Sequence, residues 1–192
     1  ESAACYDGQF FFDTDHVEDA SGSQSNDLTS DITTTTAPTS GEMETAILKS
    51  IEAIMGFKDN QGEPMNENAR EFLALVPVSY MKAAAGAVGS ESIVSSSTSR
   101  TNNLITLGAV GGFTVRLAVN ARLTWTTKCA MFRTDAPTKA LIRQEEEGVK
   151  VSAVAEGSEL EFNEDKHRYG VKAIRGAGYG YWQRACLATL ST

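Results

Sequence analysis

The segment from Thr39 to Gly56 constrains the fold of this chain most. Thr39 and Glu42 form a T-x-x-E capping box, in which the hydroxyl accepts from an early helical amide and the carboxylate reaches back. Met43, Ile47, Ile51, Ile54 and Met55 then recur at spacings of three and four, and Gly56 stands where a helix would end. A helix with one apolar stripe must lay that stripe on another layer. The chain therefore needs an apolar surface opposite these residues.

Strand patterns supply it. The run 71–78, EFLALVPV, reads as a buried strand ended by Pro77. The run 79–88, SYMKAAAGAV, reads as a second helix with Ser79 as its cap, its alanines allowing close packing on a sheet. In GGFTVRLAVN, Phe113, Val115, Leu117 and Val119 alternate with Thr114, Arg116 and Ala118, a half-buried strand. Residues 123–132 are β-rich, and KALIRQ and GVKVSAV flank the acidic run Glu145 to Glu147. Residues 168–190 read as two strands joined by a glycine-rich turn. Residues 18–41 read as an extended connector, with Thr33 to Thr36 able to form an edge strand, and residues 58–62 as a turn. Residues 89–103 read as a long polar loop. The order helix, strand, helix, then strands predicts a mixed α/β or α+β fold.

Charge is distributed unevenly. Of the net −8 over 192 residues, residues 1–67 carry −12, with 14 acids against Lys49 and Lys58, and residues 68–192 carry +4. One acidic end and one basic end suit head-to-tail association of identical chains. Without a Lys/Arg cluster, and with an acidic third that repels polyanions, strong DNA binding is disfavoured. No apolar run is long enough to predict a membrane helix. No secretory leader is read, and the first residue, Glu1, predicts a processed or excised chain. Cys5, Cys129 and Cys186 are odd in number and far apart, which predicts reduced thiols and no zinc knuckle.

The motifs that carry chemistry fail on spacing. Residues 5–26 gather Asp7, Asp13, Asp15, His16, Glu18 and Asp19 around Phe10, Phe11 and Phe12. A calcium loop needs alternating oxygens, a central glycine and a closing glutamate; here the acids crowd early, Gly22 comes late and Gln24 stands at the close. An aromatic strand ending in a polar turn fits better than a metal site. No G-x-S-x-G occurs, His16 and His167 lack a neighbouring nucleophile, and Cys186 sits in an apolar context that suits an inert core thiol. Gly176, Gly178 and Gly180 give G-x-G-x-G with strand residues behind them, and residues 108–112 likewise lack the helix a phosphate cradle requires. The expectation is no catalytic residue, no metal ligand and no cofactor: a subunit that makes contacts rather than one that turns over substrate.

At the level of motifs, CYDGQFFFDTDH followed by SGSQSN resembles the Mu-like prophage major head subunit, the gpT-type capsid protein. GEMETAILKSIEAIMGFKDNQGEPM, FLALVPVSYMKAA, TNN and the closing HRYGVKAIRGAGYGYWQRACLATL continue the resemblance in order. That resemblance implies the Hong Kong 97 phage capsid fold. It implies a peripheral-domain remnant and connector at 1–38, an axial domain with helices on a sheet at 39–160, and strands returning to the peripheral domain at 161–192. Phe10, Phe11 and Phe12 would pin the start onto the peripheral core, with Asp13 to His16 turning away from it. In the family an N-terminal arm, an extended loop and a spine helix precede the motif that begins here at Cys5, so the chain is expected to be a C-terminal portion. The implied function is structural: self-association into hexamers and pentamers of an icosahedral shell around DNA, bound without sequence specificity, with scaffold and portal proteins as partners. Assembly in the bacterial host cytoplasm and residence in the virion capsid follow, with no membrane partner. An encapsulin-like shell around protein cargo is the alternative. The loop 89–103 is the candidate for contacts about the capsomer axis.

Overall fold

A computed structural model describes residues 4–95 and 98–192. Ser96, Ser97 and the first three residues, Glu1 among them, lie outside the described residues. The architecture is α+β, in two compact units: residues 1–140 with 179–192, and residues 141–178. These limits differ from the divisions expected at 38/39 and 160/161, because strands from both ends of the chain enter one sheet.

That sheet has five strands, β1 (Asp27–Asp31), β2 (Glu71–Val76), β5 (Thr114–Val119), β6 (Lys128–Arg133) and β9 (Ala185–Ser191), in the order β1-β9-β6-β2-β5. β1 runs parallel to β9 with Asp27 opposite Leu187, and β2 parallel to β5 with Glu71 opposite Thr114. β6 lies antiparallel between β9 and β2. The central strands carry small residues, and Cys129, Ala130, Ala185, Cys186 and Ala188 are all buried. β9 is buried along nearly its whole length, as a strand covered on both faces must be.

The helix α1 (Ser40–Gly56) packs across β9, β1 and β6, and α2 (Met81–Gly89) against α1 and β5. Met43, Ile47, Ile51 and Ile54 of the expected stripe are buried; Met55 stays half-buried at its margin. Each fully buried side chain of this kind contributes about 1.5–3 kcal/mol. The capping box forms as expected. Thr39 Oγ1 accepts from the Glu42 amide at 3.2 Å, and the Glu42 carboxylate accepts from the Thr39 amide at 2.8 Å and the Thr33 amide at 2.6 Å. Burial raises the Glu42 acid, but these donors outweigh it and hold it at about 2, against 4.5 ordinarily.

Several expectations are corrected. Residues 18–41 are not a bare connector: they hold a 3-10 turn at Asp19–Ser21 and β1, while Thr33 to Thr36 form no strand. Ser79 lies inside a 3-10 turn, Val78–Tyr80, and does not cap α2. The polar loop 89–103 contains an antiparallel hairpin, β3 (Ser92–Ser95) and β4 (Thr98–Thr101). Its serines and threonines look like loop by polarity but are short or β-branched enough for a strand. Asn102 then caps α3 (Asn103–Gly111), accepting from the Leu104 amide at 2.9 Å, and Gly112 ends α3 with φ 67°, a left-handed conformation that suits glycine. In the second unit the acidic run lies inside one long strand, β7 (Leu141–Val154), paired with β8 (Arg168–Tyr179), and a short helix α4 (Glu159–Glu164) lies between them in the chain. Gly176 and Gly178 sit in β8, so the bend before β9 falls at Gly180 and the 3-10 turn Trp182–Arg184.

Two outcomes are expected. Ile54→Ala lowers unfolding free energy by about 3 kcal/mol, read by urea denaturation. Glu42 sits lower when folded than unfolded, so its contribution is fully present above pH 4.5 and is lost as pH falls through about 2. Glu42→Gln therefore costs about 1 kcal/mol at neutral pH, after solvent screening, and the gap to wild type closes as the denaturation series approaches pH 2.

Candidate functional site: a buried histidine knot and the surfaces around it

The acid and aromatic cluster of residues 5–26 folds onto the bend before β9. His16 is fully buried and stacks on Trp182, with ring centroids 4.0 Å apart and planes 7° from parallel. Its Nδ1 lies 2.6 Å from Asp7 Oδ2 and its Nε2 lies 3.2 Å from Asn26 Oδ1. Asn26 is oriented by its other bonds. Its Oδ1 accepts from the Asp13 amide at 2.9 Å, and its Nδ2 donates to the Phe11 carbonyl at 2.8 Å. Both ring nitrogens of His16 thus lie within hydrogen-bond reach of a side-chain oxygen.

A second carboxylate gathers donors nearby. Glu18 Oε1 accepts from Tyr6 Oη, from Trp182 Nε1 at 3.1 Å and from Gln183 Nε2 at 2.8 Å. Burial, then the bond to Glu18, pushes the Tyr6 phenol well above its ordinary value. Phe11 is buried and stacks on Tyr179, Phe12 is half-buried, and Phe10 is half exposed, so two of the three phenylalanines anchor the segment. Asp13 is half-buried and is held below the ordinary carboxylate range, first by the Thr14 amide.

The cluster's chemistry is that of a knot. Asp7 and His16 face each other, Glu18 is saturated with donors, and the donors come from the protein itself. Among the described residues no group of three or more His, Cys, Asp or Glu is placed to hold a metal ion. His167 lies in the other unit, 3.6 Å from Glu161. Cys186 and Cys129 are buried, and burial pushes each thiol up to about 12.

Two further buried polar centres escaped the sequence reading. Glu44, fully buried in α1, accepts from Arg100 Nη1 at 3.0 Å and from the Asn103 amide at 2.6 Å, fastening β4 and the start of α3 to α1. Asn66 Oδ1 accepts from Arg133 Nη1 at 3.0 Å and from Arg184, and its Nδ2 donates to the Ile54 and Gln183 carbonyls. No local spacing announces either, since each joins segments far apart in sequence. The nearest signal for the knot was Asp7 and His16 within one aromatic stretch.

Surfaces distinguish the two units. In 141–178 the described side chains are almost all exposed, Val149, Val151, Tyr169 and Val171 among them. Glu145 pairs with Arg143 and Arg175, and Glu147 with Lys150 and Lys172. Lys150 first, then Lys172, holds the Glu147 acid below its ordinary value. In the sheet unit an open cleft of about 610 Å³ is lined by Tyr6, Val17, Glu18, Asp19, Asp59 and Tyr181, among others.

Asn26→Ala removes the hub of the knot and leaves the Asp13 amide, the Phe11 carbonyl and His16 without it. A loss of about 3 kcal/mol is expected in urea denaturation, together with altered Trp182 fluorescence as the stacked imidazole loosens.

Comparison with known proteins follows from this geometry. Residues 119–190 match the family model described as the Mu-like prophage major head subunit gpT. This segment contains β6, both strands of the second unit, and β9 with the Trp182 bend. No curated protein matches the chain. A solved chain titled "Capsid structure of the Cyanophage P-SCSP1u" superposes with a TM-score of 0.49 at 10% identity, covering 88% of this chain. The chain spans about half of that one, 54%. From β6 to β9 the chain is thus similar to the Mu-like prophage major head subunit gpT, the family its motifs resemble.

Proposed function

We propose that this chain is the shell-forming part of a phage major head subunit, a structural protein that associates with copies of itself and makes or breaks no covalent bond. The observation that carries this reading is the match of residues 119–190 to the major head subunit family. The site geometry supports it, because the buried acids, the histidine and the thiols are absorbed in packing and offer no reacting centre. The family named is a phage head subunit, which disfavours an encapsulin-like shell around protein cargo.

In the same reading the partners are identical subunits, arranged as hexamers and pentamers around DNA, with scaffold and portal proteins assisting in the host cytoplasm. The sheet with α1 and α2 is the axial body, and β1 and β9 belong to it through their pairing, so that the share of the two end segments in the peripheral domain is confined to residues outside that sheet. The hairpin β3–β4, held by Glu44, is the element that approaches the capsomer axis.

Negative-stain microscopy of the intact protein, carrying the segments that precede the Cys5 motif in the family, tests the function. Closed shells or capsomer rings are expected, and a protein that remains a monomer at all concentrations overturns it. Deleting residues 91–101 is expected to abolish rings while the sheet unit still unfolds cooperatively; normal capsomers from the deletion would remove the hairpin from the axis.

A further inference from the structure

The helix α3 is chemically out of place. Its nine residues, NLITLGAVG, include no charged side chain, yet Leu104 alone is buried. Ile105 is 38% exposed and Val110 85%. A short helix this apolar is normally covered. It leads into β5, the edge strand of the sheet, where Arg116 is exposed, and Arg122 follows, exposed as well. Neither arginine has an ion-pair partner among the described residues. Residues 68–140 hold eight bases against three acids. Arg116, close behind α3 in the chain, gives this apolar surface its basic rim.

At the β1–β9 side of the same sheet lies a surface of opposite character. Tyr6 is 56% exposed and Val17 54%, and around them stand Glu18, Asp19 and Asp59 at the open cleft. Residues 1–67 contain 14 acids and only two lysines, Lys49 and Lys58. Trp182 and Gln183 fix this surface to the start of β9. The two edge strands of that sheet, β1 and β5, are four strand spacings apart, roughly 19 Å.

We infer that α3 and its basic rim dock on the acidic Tyr6–Val17 surface of a second copy of this chain. The occupant is a copy because the chain itself carries both halves, each with an apolar centre and with charges of opposite sign. Two different patches on one subunit give a head-to-tail contact, which repeats into a ring when the rotation closes. This inference rests on the shell reading and specifies which faces meet.

The test uses two variants of the whole chain and sedimentation velocity at low and high salt. Val110→Asp places a carboxylate on α3. Val17→Lys with Asp19→Asn removes most of the negative charge of the acidic surface and puts a cation at its apolar centre, and asparagine suits the positive φ of 40° at residue 19. All three positions are exposed, and circular dichroism and the thermal midpoint of each variant report whether its fold is intact. Wild type is expected to self-associate, less strongly at high salt. Each variant is expected to lose association by about tenfold or more. An equimolar mixture is expected to give 1:1 dimers that do not grow, since each variant keeps one working face. Self-association retained in both variants overturns the inference and leaves the shell reading standing. A wild type that stays monomeric overturns the inference too, and the shell reading is then judged by the microscopy of the intact protein.

Discussion

Asn26 holds together the two ends of the sheet unit. Its carboxamide reaches the backbone at Asp13 and Phe11 and the ring of His16, and its own carbonyl accepts the Leu187 amide at 2.7 Å. His16 in turn lies on Trp182. These contacts are buried, so each polar atom must be matched inside the protein. Once they are matched, β1 can lie only beside β9, and the first strand of the chain becomes the neighbour of the last.

The rest of the sheet follows from that placement. β9 then needs cover on both faces; α1 supplies it on one, with Met43, Ile47, Ile51 and Ile54. The alanines and cysteines of β6 and β9 let the helix approach closely. Glu44 extends the same helix into a fastening for β4 and α3, and Asn66 draws Arg133 and Arg184 to the end of α1. Burial of Arg184, then repulsion from Arg133, lowers its guanidinium, so this corner tolerates two cations because Asn66 and Asp135 face them.

Local order was legible where one segment sufficed to express it. The capping box and stripe of α1, the strand before Pro77 and the alternation after Gly112 are periodicities that a window of a dozen residues contains. The α+β class followed from their order. The hairpin 92–101 was not legible, because serine and threonine signal loops by polarity and strands by branching. Neither was α3, whose glycines were weighed only as a phosphate cradle, nor the acidic stretch inside β7. The knot around His16 was read as a turn because its partners, Trp182 and Asn26, come from the far end of the chain and from the start of β1. A parallel pairing between residues 27 and 187 likewise leaves no local mark.

That pairing has a consequence for the order of events during synthesis. A chain made from its N-terminus exposes β1, His16 and the acidic surface long before Trp182 and β9 exist to receive them. Contacts spanning nearly the whole polypeptide close last, because the loop between them must first be complete. The acidic face therefore takes its shape only once Trp182 and β9 have been made. A polypeptide that stops before Trp182 lacks it.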